Sequence, residues 1–281
     1  MSELTGPKAF GQTILITGST DGLGKLVATH LAQTGATILL HGRNPEKGKK
    51  VLQEIRDKTN NPHLEYFNAD FASLAEVSEL ADKVTSTYDQ LDILINNAGI
   101  GGGPKANQQR DLSADGHELR FAVNYLASYL LTKKSLPSIN RDSGRIINVA
   151  SVGQETIDFD DVMLEKNYDA FHAYRQSKLA MIMFTFDLAE ELKDTGITVN
   201  TLHPATLMNT NMVRDFFDRT MSTVEEGADA LEYLAVSPEL SDTTGAYFNQ
   251  KKPDRALGQA YDKEARDKLK ALSEELTGRF A

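Results

Sequence analysis

The sequence predicts an α/β fold: a doubly wound parallel sheet of about seven strands with helices on both faces. Three observations carry that expectation. Short β-branched apolar runs alternate with longer amphipathic stretches along the whole chain. The runs are near-continuous in apolar residues, the pattern of parallel strands covered on both faces. The stretches between them open with recognisable helix-start signals.

In order, the strands are TILIT (13–17), TILLH (37–41), HLEYF (63–67), LDILI (91–95), RIINVA (145–150) and ITVNTL (197–202), with GAYFN (245–249) as a weaker seventh. Asn44-Pro45 supplies an N-cap and a first-turn proline. SLAE (73–76) and TVEE (223–226) are capping boxes. The tail, DKEARDKLKALSEELTGRFA (262–281), reads as an amphipathic helix with Leu269, Leu272 and Leu276 on one side, expected to pack on the core. No repeat or low-complexity tract interrupts the alternation, so residues 1–281 are read as one domain.

Composition narrows the function. The 281 residues carry a formal net charge of −10 and no cysteine. Disulfides, thiolate metal sites and a cysteine nucleophile are excluded, and a reducing compartment fits. The acidic balance argues against nucleic acid as a partner. No run approaches the ~18 apolar residues of a membrane span, and MSELTGPKAF (1–10) has no basic or apolar leader pattern. The expected location is cytoplasmic. The six histidines are scattered and no Gly-x-Ser-x-Gly elbow occurs, which disfavours a zinc- or nucleophile-based hydrolase. No metal site is expected; the acids of DFDD (158–161) read as a solvated loop.

Ligands of doubly wound sheets bind beyond the carboxyl ends of the strands, so the segments after each strand hold the chemistry. TGSTDGLGK (17–25) follows the first strand and leads into a helix. A glycine-rich turn there lets backbone N–H groups approach a pyrophosphate, although an ordinary turn has the same composition. After the second strand, Gly42-Arg43 offers no carboxylate for ribose hydroxyls, and Arg43 suits a 2′-phosphate or a plain surface position. Asp21 argues mildly against that phosphate. Asp70 in NADFAS (68–73) is placed either to accept from an adenine amino group or to cap a turn. NNAGIGGG (96–103) allows close backbone approach, and Gly101 to Gly103 form a candidate substrate rim. Ser151 ends the fifth strand, and Pro204 stops the sixth.

Tyr-x-x-x-Lys puts both residues on one helix face, but it occurs three times: Tyr129–Lys133, Tyr174–Lys178 and Tyr247–Lys251. Spacing alone does not choose among them.

Six features in order, TGSTDGLG, NNAG, Asn124 in VNYLAS, Ser151 in NVAS, YRQSK and Pro204, resemble the short-chain dehydrogenase/reductase family from about residue 12 to 250. The segment from Gln154 to Ala180 resembles its retinol-dehydrogenase-like subgroup. The resemblance implies a single-domain Rossmann-type fold and selects Tyr174–Lys178, which lies between the strand-five serine and strand six. It implies NADP, in preference to NAD, held by Gly18, Thr20, Asp21, Gly22, Leu23, Gly24, Arg43, Asp70, Phe71, Asn97, Ala98, Gly99, Tyr174, Lys178 and Pro204. The implied catalytic set is Asn124, Ser151, Tyr174 and Lys178. Tyr174 serves as general acid/base, with Ser151 on the same oxygen and Asn124 positioning a relay water. A neighbouring ammonium favours a phenolate, so Lys178 is expected to lower the Tyr174 pKa. The implied partner is a small apolar carbonyl compound or alcohol. Family members are often homo-oligomers, but nothing in this sequence marks an interface. Two departures stand out: Pro204-Ala205 replaces the usual Pro-Gly, and Asn209 replaces a frequent threonine. The competing readings are a reductase of an activated carbon–carbon double bond and a non-catalytic NADP-binding regulator.

Overall fold

The computed structural model describes residues 9–102 and 109–281; Gly103, at the end of the expected rim, lies outside the described residues. β1 (Thr13–Ile16), β2 (Thr37–Gly42), β3 (Leu64–Asn68), β4 (Ile93–Asn96), β5 (Arg145–Val149), β6 (Thr198–His203) and β7 (Tyr247–Asn249) match the seven expected strands to within a residue or two. An exposed two-residue β8 (Lys252–Pro253) is added at the edge. The order is β3-β2-β1-β4-β5-β6-β7-β8, parallel except for the β7–β8 pair. The chain therefore winds outward from β1 to β3, then returns to place β4 on the other side of β1.

The helices are α1 (Gly22–Gln33), α2 (Pro45–Thr59), α3 (Leu74–Thr87), α4 (Leu119–Phe121), α5 (Ala127–Ser135), α6 (Ala170–Glu191), α7 (Asn211–Phe216), α8 (Val224–Val236) and α9 (Lys263–Thr277). The starts read from sequence are made. Asn44 Oδ1 accepts from Lys47 N at 2.9 Å, and Ser73 and Thr223 accept from the backbone of Glu76 and Glu226. The first box is only half closed, because Glu76 bonds Asp70 N rather than its own cap. One turn was not legible: between α4 and α5 the helix widens into a π-turn, Ala122–Leu126, that contains Asn124. Such turns commonly mark functional sites.

Successive strand residues point to opposite faces, and two cores result. Leu15, Leu39, Leu94, Ile146 and Val199 face α3, α5, α6 and α9. Ile14, Ile16, Ile38, Leu40 and Ile147 face α1, α2 and α8. Both faces being apolar explains the continuous hydrophobic runs. α9 packs as expected, with Leu269 2% exposed. Tyr125 meets Ser273 at 2.6 Å, and Arg266 pairs with Asp187 at 2.6 Å. No helix of the described residues is long and apolar enough to cross a membrane.

The first face carries a polar seam. Asn96 and Asn148 are opposite each other on β4 and β5. Asn96 Nδ2 donates to Asn148 Oδ1 at 2.8 Å and to Thr132 of α5 at 2.9 Å, while Asn148 Nδ2 donates to Thr185 of α6 at 2.8 Å. All four are buried, so each bond fixes where a helix sits on the sheet. Asn148→Val removes the central member and strands its partners. We expect a loss of about 1–3 kcal/mol in chemical denaturation; an unchanged midpoint would show the seam to be dispensable.

Candidate active site

The glycine loop between β1 and α1 is shaped by a close approach. Gly18 has φ +65°, and a Cβ there would stand 2.8 Å from Ala98 Cα. Only glycine relieves both demands. Thr17 Oγ1 accepts from the N–H groups of Asn97 and Ala98, each at 2.9 Å, and donates to Ile95 O. Asn97 Nδ2 donates to Thr17 O and Gly18 O. The loops leaving β1 and β4 are thus stitched together. The side-chain donors of Asn97, expected from sequence at the cofactor, go to this seam.

His41, which sequence reasoning passed over, holds the loop from the other side. Its Nδ1 accepts from Gly18 N at 3.2 Å, and its Nε2 lies 3.1 Å from Ala69 O. Burial pushes the imidazole down to about 4, so at neutral pH one nitrogen accepts while the other donates. Phe71 stacks on that ring at 4.4 Å and is buried, which makes it a packing residue. Leu23 is likewise core. Asp70 Oδ1 accepts from Ala72 N, the turn-capping alternative.

At the outer end of the cleft Arg43 is exposed and makes no ion pair with a described residue. Asp21 caps α1 through Gly22 N and pairs with Lys47 at 2.6 Å. Asn211 of α7 also donates to it, at 3.0 Å. Partial burial alone would raise the Asp21 pKa; the Lys47, Gly22 and Asn211 bonds outweigh it and hold the carboxyl low. The carboxylate that argued against a second phosphate is therefore partnered by an ammonium.

Ser151, Tyr174, Lys178 and Asn124 come together at the carboxyl ends of β4 and β5. Asp169 caps α6, which carries Tyr174 and Lys178 on one face. Lys178 Nζ sits 5.7 Å from the Tyr174 ring centroid and donates to Val149 O at 3.0 Å. A Cβ on Gly99 would lie 3.5 Å from that Nζ and 3.2 Å from Asn124 Oδ1. Asn124 Oδ1 accepts from Ile100 N at 2.7 Å, and its Nδ2 donates to Ile100 O and Ser177 Oγ. Both Asn124 N–H groups are bonded to protein, so its amide holds the loop after β4. Pro204 and Ala205 are buried behind the end of β6.

The expected acidity of Tyr174 is corrected. Burial raises its pKa above the ordinary value, and hydrogen bonding with Ser151 only partly opposes that rise. Lys178 is itself only 6% exposed, and burial pushes it down to about 8. With the cation desolvated and 5.7 Å from the ring centroid, burial dominates over attraction.

The other two Tyr-x-x-x-Lys pairs do not join this group. Tyr129 packs against Phe184 at 5.0 Å, and Lys133 pairs with Glu191. Tyr247 braces the site instead: its hydroxyl donates to Ser151 O at 3.2 Å. Gln154 Nε2 donates to the same carbonyl, and its Oε1 accepts from Leu257 N. Gln259 closes both backbone bonds of Ile157. The segment between Ser151 and Tyr174 is thereby fastened to residues near the end of the chain. No local pattern announces such contacts.

The profile of the family described as short chain dehydrogenase matches residues 12–221. Human retinol dehydrogenase 13 is 35% identical, with 95% of this chain and 85% of the relative aligned. Human polyprenol dehydrogenase is 31% identical, over 94% and 84%. An uncharacterized Mycobacterium paratuberculosis protein superposes with TM-score 0.81 at 28% identity, covering 98% of this chain and 96% of the other. A short chain dehydrogenase from Escherichia coli CFT073, complexed with NADPH, gives TM-score 0.71 at 25% identity, over 87% and 98%.

A buried cation bound to one carbonyl is a stability liability in the ligand-free protein. Its folded pKa of about 8 lies below the ordinary 10.5, so the unfolded chain binds the extra proton between those values. The penalty is full below pH 8 and is relieved as pH rises toward 10.5. We therefore expect Lys178→Met to melt higher than wild type without cofactor at pH 7, by a margin that narrows above pH 8. Thermal unfolding across that range checks it; a variant that melts lower at pH 7 contradicts it.

Proposed function

The chain belongs to the short-chain dehydrogenase family, and on that premise we propose that it is an NADP(H)-dependent oxidoreductase interconverting an apolar ketone or aldehyde and its alcohol. The observation that carries the reading is the convergence of Ser151, Tyr174 and Lys178 beside Gly99. Retinol and polyprenol dehydrogenases among the relatives support an apolar alcohol or carbonyl as the substrate class.

The residues present fit a nicotinamide dinucleotide. The tight glycine loop gives backbone access at the start of α1 for a pyrophosphate. Lys178 has a single protein acceptor among the described residues, which leaves ammonium donors for ribose hydroxyls. Arg43 would hold a 2′-phosphate, and relatives solved with NADP and NADPH support that preference. When bound, the cofactor supplies the hydride.

The protein supplies the proton and the field. Burial keeps Tyr174 a neutral phenol at pH 7, the form that can protonate a carbonyl oxygen as negative charge grows on it. The Ser151 hydroxyl donates to the same oxygen and stabilises it most in the transition state. In the oxidative direction the phenol must first lose its proton, so activity in that direction rises with pH. Asn124 contributes by holding Ile100, and with it Gly99, against Lys178.

Titration with NADPH and NADH, followed by a carbonyl panel read by loss of nicotinamide absorbance, tests the reading. Tight NADPH binding with no turnover on a broad panel favours the regulator instead. Tyr174→Phe should lower kcat by about 10²–10⁴ while NADPH affinity stays within a few fold. Ser151→Ala should cost about 10²–10³, and Tyr129→Phe should leave the chemistry in place. Near-normal kcat in Tyr174→Phe would falsify the acid/base assignment. Arg43→Ala should weaken NADPH and spare NADH; equal losses would remove its role in discrimination.

A further inference from the structure

A buried ion pair lies outside the catalytic group. Glu118 is 0% and Arg120 4% exposed. Arg120 Nε donates to Gly101 O at 3.0 Å and Nη2 to Gly102 O at 2.7 Å. Its Nη1 donates to the Tyr168 hydroxyl at 2.5 Å and lies 3.4 Å from Glu118 Oε1. Tyr168 in turn donates to Glu118 Oε1 at 3.1 Å, and Glu118 Oε2 accepts from Phe121 N at 2.7 Å.

This arrangement is more than a filled core. An apolar side chain could occupy the same volume without desolvating a charge. What Arg120 adds is a planar fork that grips two consecutive carbonyls. Those carbonyls belong to a glycine pair with no side chains of its own to pack, separated by Ile100 from the Gly99 that adjoins Lys178. Asn124 already binds both backbone groups of Ile100, so the backbone from Ile100 to Gly102 is gripped throughout. Tyr168 stands two residues before α6, at the end of the segment that follows Ser151. The clamp thus ties the loop after β4 to the Ser151–Tyr174 segment. Across from it, Met212 of α7 approaches Gly101, 3.2 Å from where a Cβ would stand.

We propose that Arg120 is a positioning residue that sets the opening for substrate between these segments, and so governs discrimination among carbonyl substrates rather than affinity for cofactor. This rests on the oxidoreductase reading above. Glu118 fixes the guanidinium and starts the helix that leads to Asn124; Tyr168 is the joint to the opposite wall.

The test uses the full-length protein, NADPH and a homologous series of aldehydes from short to long. Arg120→Ala alone would leave a bare buried carboxylate and could unfold the chain. The informative variants are Tyr168→Phe, which removes only the bridging hydroxyl, and Glu118→Gln/Arg120→Gln, which removes both charges together. We expect the double variant to raise KM for the preferred aldehyde about tenfold, with kcat and the NADPH Kd within about twofold, the signature of lost substrate positioning. Tyr168→Phe should fall between it and wild type, and the preference for one chain length should flatten in both. Unmoved KM and preference would overturn the proposal. So would a joint decline of KM, kcat, NADPH affinity and melting temperature, which marks a purely structural pair. A wild type that binds NADPH and reduces no aldehyde or ketone sinks the parent reading and this one with it; an active wild type with unmoved variants sinks only the clamp.

Discussion

Thr17 and Asn97 hold together the two loops that leave β1 and β4, and the cofactor side of the site is built on that seam. β1 and β4 are neighbours in the sheet but far apart in the chain, with β2 and β3 wound to one side and β5 onward to the other. Such a switch point opens a crevice at the carboxyl edge. Here the crevice floor is closed by three bonds through Thr17 Oγ1 and two through the Asn97 amide. The glycine loop can then approach Ala98 closely, and Gly99 is delivered to Lys178 and Asn124.

On that frame the reactive groups are kept short of their preferred states. Lys178 is buried against a single carbonyl, and Tyr174 is desolvated beside it. Both arrangements cost stability through desolvation. Both become sensible when a polyhydroxylated ligand supplies acceptors for the ammonium and a carbonyl oxygen faces the phenol. The stabilising interactions lie elsewhere, in two apolar cores and in the Asn96–Asn148 seam that sets α5 and α6 on the sheet.

The fold was legible because it is written locally: seven strands, three caps and the α9 pattern all depend on residues within a few positions of one another. The resemblance to the family, carried by six motifs in order, singled out Ser151, Tyr174 and Lys178. What was hidden depends on distance across the fold. His41 meets Gly18 over 23 positions, Arg120 meets Tyr168 over 48, and Tyr247 meets Ser151 over 96. No periodicity encodes such pairs. The direction of the Tyr174 shift was misread for a related reason, since residue spacing fixes the lysine's neighbourhood but not how dry that neighbourhood is. Asn97 and Phe71 carry the right names for a nucleotide site, yet their side chains serve the seam and the core.

The fastenings of the Ser151 segment bear on when, as well as how, the site forms. Tyr247, Leu257 and Gln259 lie roughly a hundred residues beyond the groups they secure. Closing such loops carries an entropic penalty that local contacts do not. On a ribosome the glycine loop, the serine and the tyrosine–lysine pair all emerge well before their braces are synthesised. The nascent chain can therefore wind its sheet early, but its catalytic wall is completed among the last steps, after the final strand and the segment leading into α9 have docked.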